Sequence, residues 1–139
     1  SQRLEARSAI GDRAYYHSTS VGKAVLAYLP QERVDTIVRE VGLPQRTPTT
    51  ITDRERLKQE LEATRARGYS TDYSENEDRT YCVGAPIFNA AHEVVGSCSV
   101  SGSSPAIVGE QLEYHANAVV RTADAVSKRL GYVPLRVRI

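Results

Sequence analysis

Apolar positions recur along this chain with two periods, one helical and one strand-like. Val34, Ile37, Val38 and Val41 fall at steps of three and four within residues 31–41, which predicts an amphipathic helix with Gly42 and Pro44 as its stop. Upstream, Val21, Ala24, Val25, Tyr28 and Leu29 mark a shorter apolar helix. Ser18, Thr19 and Ser20 are its candidate N-caps, and Pro30 closes it. Residues 43–51 hold two prolines and three threonines and predict an irregular loop. Thr52-Asp53-Arg54-Glu55 then reads as a capping box, in which the Thr52 hydroxyl and the Glu55 carboxylate each accept from the other's free backbone amide. The helix it starts turns Leu57 and Leu61 inward and ends at Gly68. The longest stripe is C-terminal: Val108, Leu112, Ala116, Val119, Ala123, Val126 and Leu130, with Gly131 as the stop. Such a stripe packs on the domain's own sheet or on a partner helix in a dimer.

Alternation with a period of two marks residues 69–74, 80–88 and 94–102 as strands. Residues 3–10 read as a further short strand, followed by a turn at Gly11-Asp12 and an extended piece at 14–16. Asn89-Ala90-Ala91-His92 suits a turn between the two longest strands. A turn centred between Ala90 and Ala91 pairs Cys82 with Ser99 and Thr80 with Ser101. Cys82, Gly84, Ser97, Ser99 and Ser101 then share one face, and Val83, Ala85, Ile87, Val94, Cys98 and Val100 the other. The aliphatic face meets the core, while the small polar face leaves room for a ligand. A slip of one residue would destroy this sorting. In the expected register the two cysteines point to opposite faces and cannot bond.

Composition removes several classes. The chain has 139 residues, 40% hydrophobic and 25% charged, enough for one domain with a core and too few for two. Eighteen basic and seventeen acidic residues leave a formal charge of +1, so no electrostatic footprint for nucleic acid or an anionic membrane stands out. The apolar runs are too short to span a bilayer, and the first residues lack a signal-peptide core. A cytoplasmic protein without membrane contact is expected. Two cysteines do not make a disulfide scaffold. A start on Ser1 and the absence of methionine suggest a part excised from a longer product.

Four linked motifs carry a resemblance. His17-Ser18-Thr19-Ser20-Val21-Gly22-Lys23-Ala24, Arg67-Gly68-Tyr69 leading to Asp72 and Glu75, Cys82-Val83-Gly84-Ala85-Pro86-Ile87, and Ser99-Val100-Ser101-Gly102 are similar to the effector-binding domain of the IclR family of transcriptional regulators. The agreement in order and spacing covers residues 14–130. The resemblance implies an α+β, GAF/PAS-like domain, mainly an antiparallel sheet flanked by helices, ending in a long helix. It implies a single sensor domain over residues 1–139, shortened at its N-terminus and without the winged helix-turn-helix that binds DNA. It further implies a small-molecule effector, expected to be a small carboxylate, and assembly as a homodimer or tetramer. The effector would be held by Ser20, Val21, Gly22, Asp72, Cys82, Ser99 and Ser101. The sequence departs from the family at Arg79, where glycine is usual, and at Ser103-Ser104-Pro105-Ala106-Ile107, which lacks the usual arginine.

Blander roles stand beside these. Ser18, Thr19 and Ser20 serve equally as caps, Cys82 as a small buried hydrophobe, and Asp72 with Glu75 as a solvated strand end. An enzyme would need Cys82 as nucleophile with His17 or His92 as base, yet no nucleophile elbow or fixed Cys–His spacing is present. A metal site built from His17, Cys82 and a carboxylate would lack any paired-ligand spacing. The expectation is therefore a sensor with no catalytic role, no cofactor and no metal.

Overall fold

Ser70–Tyr73 (β1), Tyr81–Phe88 (β2) and Val94–Gly102 (β3) form an antiparallel sheet in the order β1-β2-β3 in a computed structural model that describes residues 15–135. The strand expected at 3–10 and the turn at Gly11-Asp12 lie outside the described residues. Tyr16, His17 and Ser18 form a turn, where an extended piece at 14–16 was expected.

The hairpin register differs from the expected one by two residues. Cys82 stands opposite Ser101 and Gly84 opposite Ser99. One residue of the shift comes from the turn, where Phe88 pairs with Val94. The other comes from a bulge: Ile87 pairs with Gly96, so Val95 is an extra residue in β3. A displacement of two keeps the side chains from Gly96 onward on their expected faces, because the strand period is two; Val94, beyond the bulge and opposite Phe88, is displaced by one and shares the face of Cys82 and Gly84, not the aliphatic face on which it was expected. Cys82 and Cys98 are accordingly free and point to opposite sides.

The aliphatic face packs on the C-terminal helix, Leu112–Arg129 (α4), through Val83, Ala85, Ala116, Val119 and Ala123. Val108, expected within that helix, belongs to a separate 3-10 turn, Pro105–Val108, capped by the Ser104 hydroxyl. The apolar stripe also ends early, since Val126 and Leu130 are 39% and 47% exposed. Ser127 takes the buried place instead, donating to the Ala123 carbonyl at 2.8 Å and accepting from the Phe88 amide at 3.0 Å.

Three helices form the remainder. Ser20–Leu26 (α1) lies on the sheet's polar face against β2 and β3. Gln31–Val41 (α2) has the expected bounds and stops at Gly42, whose φ of 74° suits glycine. Arg54–Arg67 (α3) is capped by Asp53, not Thr52: the Asp53 carboxylate accepts from the Glu55 amide at 3.3 Å. It ends at Gly68 in the left-handed conformation. Leu26, Val34, Val38, Leu57 and Leu61 join these helices in a second core, separate from that of the sheet and α4. Among the described residues no helix is long and apolar enough to cross a membrane.

Candidate functional site

Thr19 sets the start of α1. Its side-chain oxygen accepts from the Gly22 amide at 3.0 Å while its hydroxyl donates to the Tyr15 carbonyl at 2.7 Å, and its carbonyl accepts from the Lys23 amide at 2.9 Å. Ser20 and Val21 keep the free amides of this first turn among the described residues. Ser18, one of the three candidate caps, is buried and donates to Asn76 Oδ1 at 2.8 Å. A Cβ on Gly22 would lie 2.5 Å from the Tyr16 Cα, so the protein's own turn already requires glycine there.

The small residues of the sheet hold α1 closely. A Cβ on Gly84 would lie 2.8 Å from the Ser20 carbonyl oxygen. The Ser70 hydroxyl donates to that same oxygen at 2.6 Å, and the Ser97 hydroxyl donates to the Val21 carbonyl at 2.9 Å. The expectation that the whole Gly and Ser face leaves room is therefore corrected: over Gly84 and Ser97 it is filled by helix backbone. Ser99 and Ser101 are exposed, and the open part of the face lies with them.

Behind these serines lies a buried polar row. Asp72 pairs with Cys82 across β1 and β2, and Cys82 with Ser101 across β2 and β3, so the three share one line on one face. The Ser101 hydroxyl donates to the Cys82 sulfur at 3.1 Å. Asp72 is only 2% exposed, and its Oδ1 accepts from the Glu75 amide at 2.7 Å. Burial raises the Asp72 carboxyl to a pKa of about 6; the Glu75 amide opposes this, the Glu75 charge adds to it, and Lys23 and the Cys82 thiol oppose it. Burial likewise pushes the Cys82 thiol up to about 11, against hydrogen bonding from Ser101 and with the Asp72 charge adding to the rise. At neutral pH Cys82 is a protonated thiol, a weak donor and not a nucleophile. Asp72 alone in this row changes charge near physiological pH.

Glu75 belongs to the same region but is not a solvated strand end. It is buried, its Oε1 lies 2.7 Å from Lys23 Nζ, and its Oε2 accepts from the Tyr73 amide at 2.9 Å. Lys23 lies within the α1 motif, and nothing local in the sequence assigns it this partner. The irregular loop at 43–51 does more than connect α2 to α3, for its threonines clamp the strand end that carries the acids. Thr47, Thr49 and Thr50 donate to the carbonyls of Ser74, Tyr73 and Glu75 at 2.6, 2.9 and 2.6 Å. Three threonines within four residues beside two prolines were the available signal.

The histidines stand apart from this row. His17 Nε2 bonds the Pro44 carbonyl at 2.9 Å. His92 is in the hairpin turn, its ring 5.0 Å from that of Tyr132; the turn follows Phe88, which is six residues along β2 from Cys82 and thus roughly 20 Å away. Among the described residues no group of three or more His, Cys, Asp or Glu side chains could hold a metal.

The same arrangement of sheet and helices recurs in known proteins. The family described as Bacterial transcriptional regulator IclR C-terminal matches residues 1–128. The chain belongs to the IclR family. The HTH-type transcriptional regulator KipR of Bacillus subtilis is 32% identical over 131 residues, covering 94% of this chain and 52% of KipR. The crystal structure of the Thermotoga maritima IclR superimposes with a TM-score of 0.88 at 36% identity, covering 94% of this chain and 53% of that one. The C-terminal domain of the Escherichia coli transcriptional regulator KdgR gives 0.81 at 30% identity, covering 88% and 74%. The chain spans about half the length of the curated relatives it matches. Its fold is that of an IclR C-terminal effector-binding domain. The departure from the IclR pattern at Arg79 also acquires a physical meaning, because Arg79 has a φ of 56°, the left-handed region that glycine enters without steric cost.

Proposed function

We propose that this domain is the sensor half of an IclR-type transcriptional regulator. It binds a small carboxylate between the start of α1 and the polar face of the sheet. Ser99 and Ser101 offer exposed hydroxyls, Ser20 and Val21 offer free amides, and Asp72 and Cys82 stand behind them; Gly22 acts through its backbone. The observation that carries this reading is the buried Asp72–Cys82–Ser101 row, which ends in an exposed hydroxyl and holds a carboxyl able to keep or share a proton near pH 6. A bound acid placed beside Asp72 shares that proton, so two carboxylates can occupy one site.

Binding acts on transcription through packing. The domain associates as a homodimer or tetramer in the cytoplasm, and the ligand favours one arrangement of the partners over another by its difference in affinity for the two. The spacing of DNA-binding domains, carried by a segment preceding this one, changes with it. The relatives are transcriptional regulators, and the domain carries no reaction of its own.

Thermal-shift measurements with a panel of small carboxylates test the site. A hit that stabilises the parent chain should lose its effect in Asp72→Ala and in Ser101→Ala. Equal stabilisation of both variants would remove the site from this face.

A further inference from the structure

A cavity of about 50 Å³ lies at the opposite end of α1, between α2 and α3. Its walls are apolar: Leu26, Leu29, Val34, Leu57 and Leu61. Its polar lining is mostly cationic, with Arg54, Lys58 and Arg65 against the single acid Asp35 and the neutral Gln31. Asp35 already accepts from the Gln31 side-chain amide at 2.9 Å. On α3, Arg54, Lys58, Leu61 and Arg65 follow steps of four, three and four, which puts all of them on one side of the helix. Among the described residues none of the three cations has an ion-pair or hydrogen-bond partner, whereas Arg67 and Lys23 do.

An apolar slot beside three like charges is suited to one kind of molecule. A neutral ligand would fill the slot and leave the cations repelling one another, and a bare inorganic anion would satisfy the charges and leave the slot empty. We propose that this cavity is a second small-molecule site, which takes a short aliphatic monocarboxylate. The tail lies among Leu26, Val34 and Leu57, and the carboxylate lies at the Arg54, Lys58 and Arg65 side. Since a buried water occupies roughly 10–15 Å³ of such volume, the space accommodates a tail of roughly three to five carbons. The site shares α1 with the sensor face but none of that face's residues, so it stands or falls independently of the proposed effector site.

Butyrate, hexanoate and 1-hexanol titrated into the methyl-labelled chain supply the test, read on the Leu26, Val34 and Leu57 methyl resonances. The expected result is saturable shifts, with hexanoate more than tenfold tighter than butyrate, at about fourfold per added methylene. Arg54→Gln with Lys58→Gln, both at exposed positions, should weaken hexanoate by about tenfold and leave the fold intact. Asp72→Asn should leave the hexanoate shifts of the Leu26, Val34 and Leu57 methyls unchanged. The proposal is overturned if these methyls do not move, if 1-hexanol binds as tightly as hexanoate, if the double variant binds hexanoate undiminished, or if the shifts fall on the Val21 methyls at the start of α1 instead.

Discussion

Lys23 Nζ and Glu75 Oε1 stand 2.7 Å apart with both side chains withdrawn from water. The pair joins α1 to the segment after β1, and the other Glu75 oxygen holds the Tyr73 amide. It thus ties the helix that covers the sheet's polar face to the strand that carries Asp72. Removing one partner strands a buried charge, which costs far more than the intact pair contributes. Lys23→Met should lower unfolding free energy by roughly 3–5 kcal/mol, measured by urea denaturation. Lys23→Met with Glu75→Leu should recover much of that loss. A single variant within about 1 kcal/mol of the parent would mean that Glu75 is rehydrated and that the pair does not fix α1.

The raised pKa of Asp72 gives stability a pH dependence of definite sign. Its carboxyl is near 3.8 when unfolded and about 6 when folded, so between these values the folded state binds more protons than the unfolded one. Stability therefore falls as pH rises from about 4 through 6, by on the order of 2–3 kcal/mol in total from this group. Asp72→Asn keeps an oxygen for the Glu75 amide and removes the titration. The variant should be more stable than the parent at pH 7.5 and should lose this slope in thermal melts across the same range. A variant melting curve with the parent's pH slope would assign the dependence to another group.

Local patterns in the sequence were enough for elements whose limits are set by local chemistry. Gly42 and Gly68 ended their helices where expected because a left-handed residue after a helix is a property of a few neighbouring residues. The two faces of the hairpin were legible up to the bulge because alternation survives any even shift in register; Val94, past the bulge, changes face. The register itself was not legible, since the bulge at Val95 coincides with a Phe88 amide taken by Ser127, a residue 39 positions away. Ser127 explains the misread end of α4 as well: hydrophobicity favoured Val126, but a buried hydroxyl that serves the sheet edge holds the inner place. The cap of α3 moved from Thr52 to Asp53, an adjacent residue that caps equally well. At the candidate site, Asp72, Cys82 and Ser101 were gathered by their period and motifs. Lys23 was not gathered with Glu75, because its partner lies 52 residues away and nothing local marks the pair.

Cys82 should be chemically silent in the folded chain. Its thiol is buried, and burial pushes its pKa up to about 11, so the thiolate that reacts with alkylating agents is scarce at neutral pH. Iodoacetamide at pH 7.5 should leave Cys82 unmodified in native buffer and label it readily in urea, followed by peptide mass spectrometry. Rapid native labelling would require either an opened α1 or a thiolate, and would revive a nucleophilic role for this residue.

Gly84 tests the seating of α1 most directly. The helix backbone passes so near that an added Cβ would meet the Ser20 carbonyl oxygen at 2.8 Å and its carbon at 2.9 Å. Both are backbone atoms, so no rotamer change can relieve the contact. Ser70 would also be crowded, because its hydroxyl lies 2.9 Å from the same Cβ while donating to the same carbonyl. Relief requires α1 to lift from the sheet, breaking the Ser70 bond or the Ser97 bond to the Val21 carbonyl. Gly84→Ala should therefore lower stability by about 1–3 kcal/mol, as overpacking does, and should speed exchange of the α1 amides relative to those of α4. Gly96→Ala is the internal control, because a Cβ there meets nothing within 4 Å and should cost little. If Gly84→Ala were as harmless as Gly96→Ala, the close seating of α1 on the sheet, and with it the wall of the proposed effector site, would have to be abandoned.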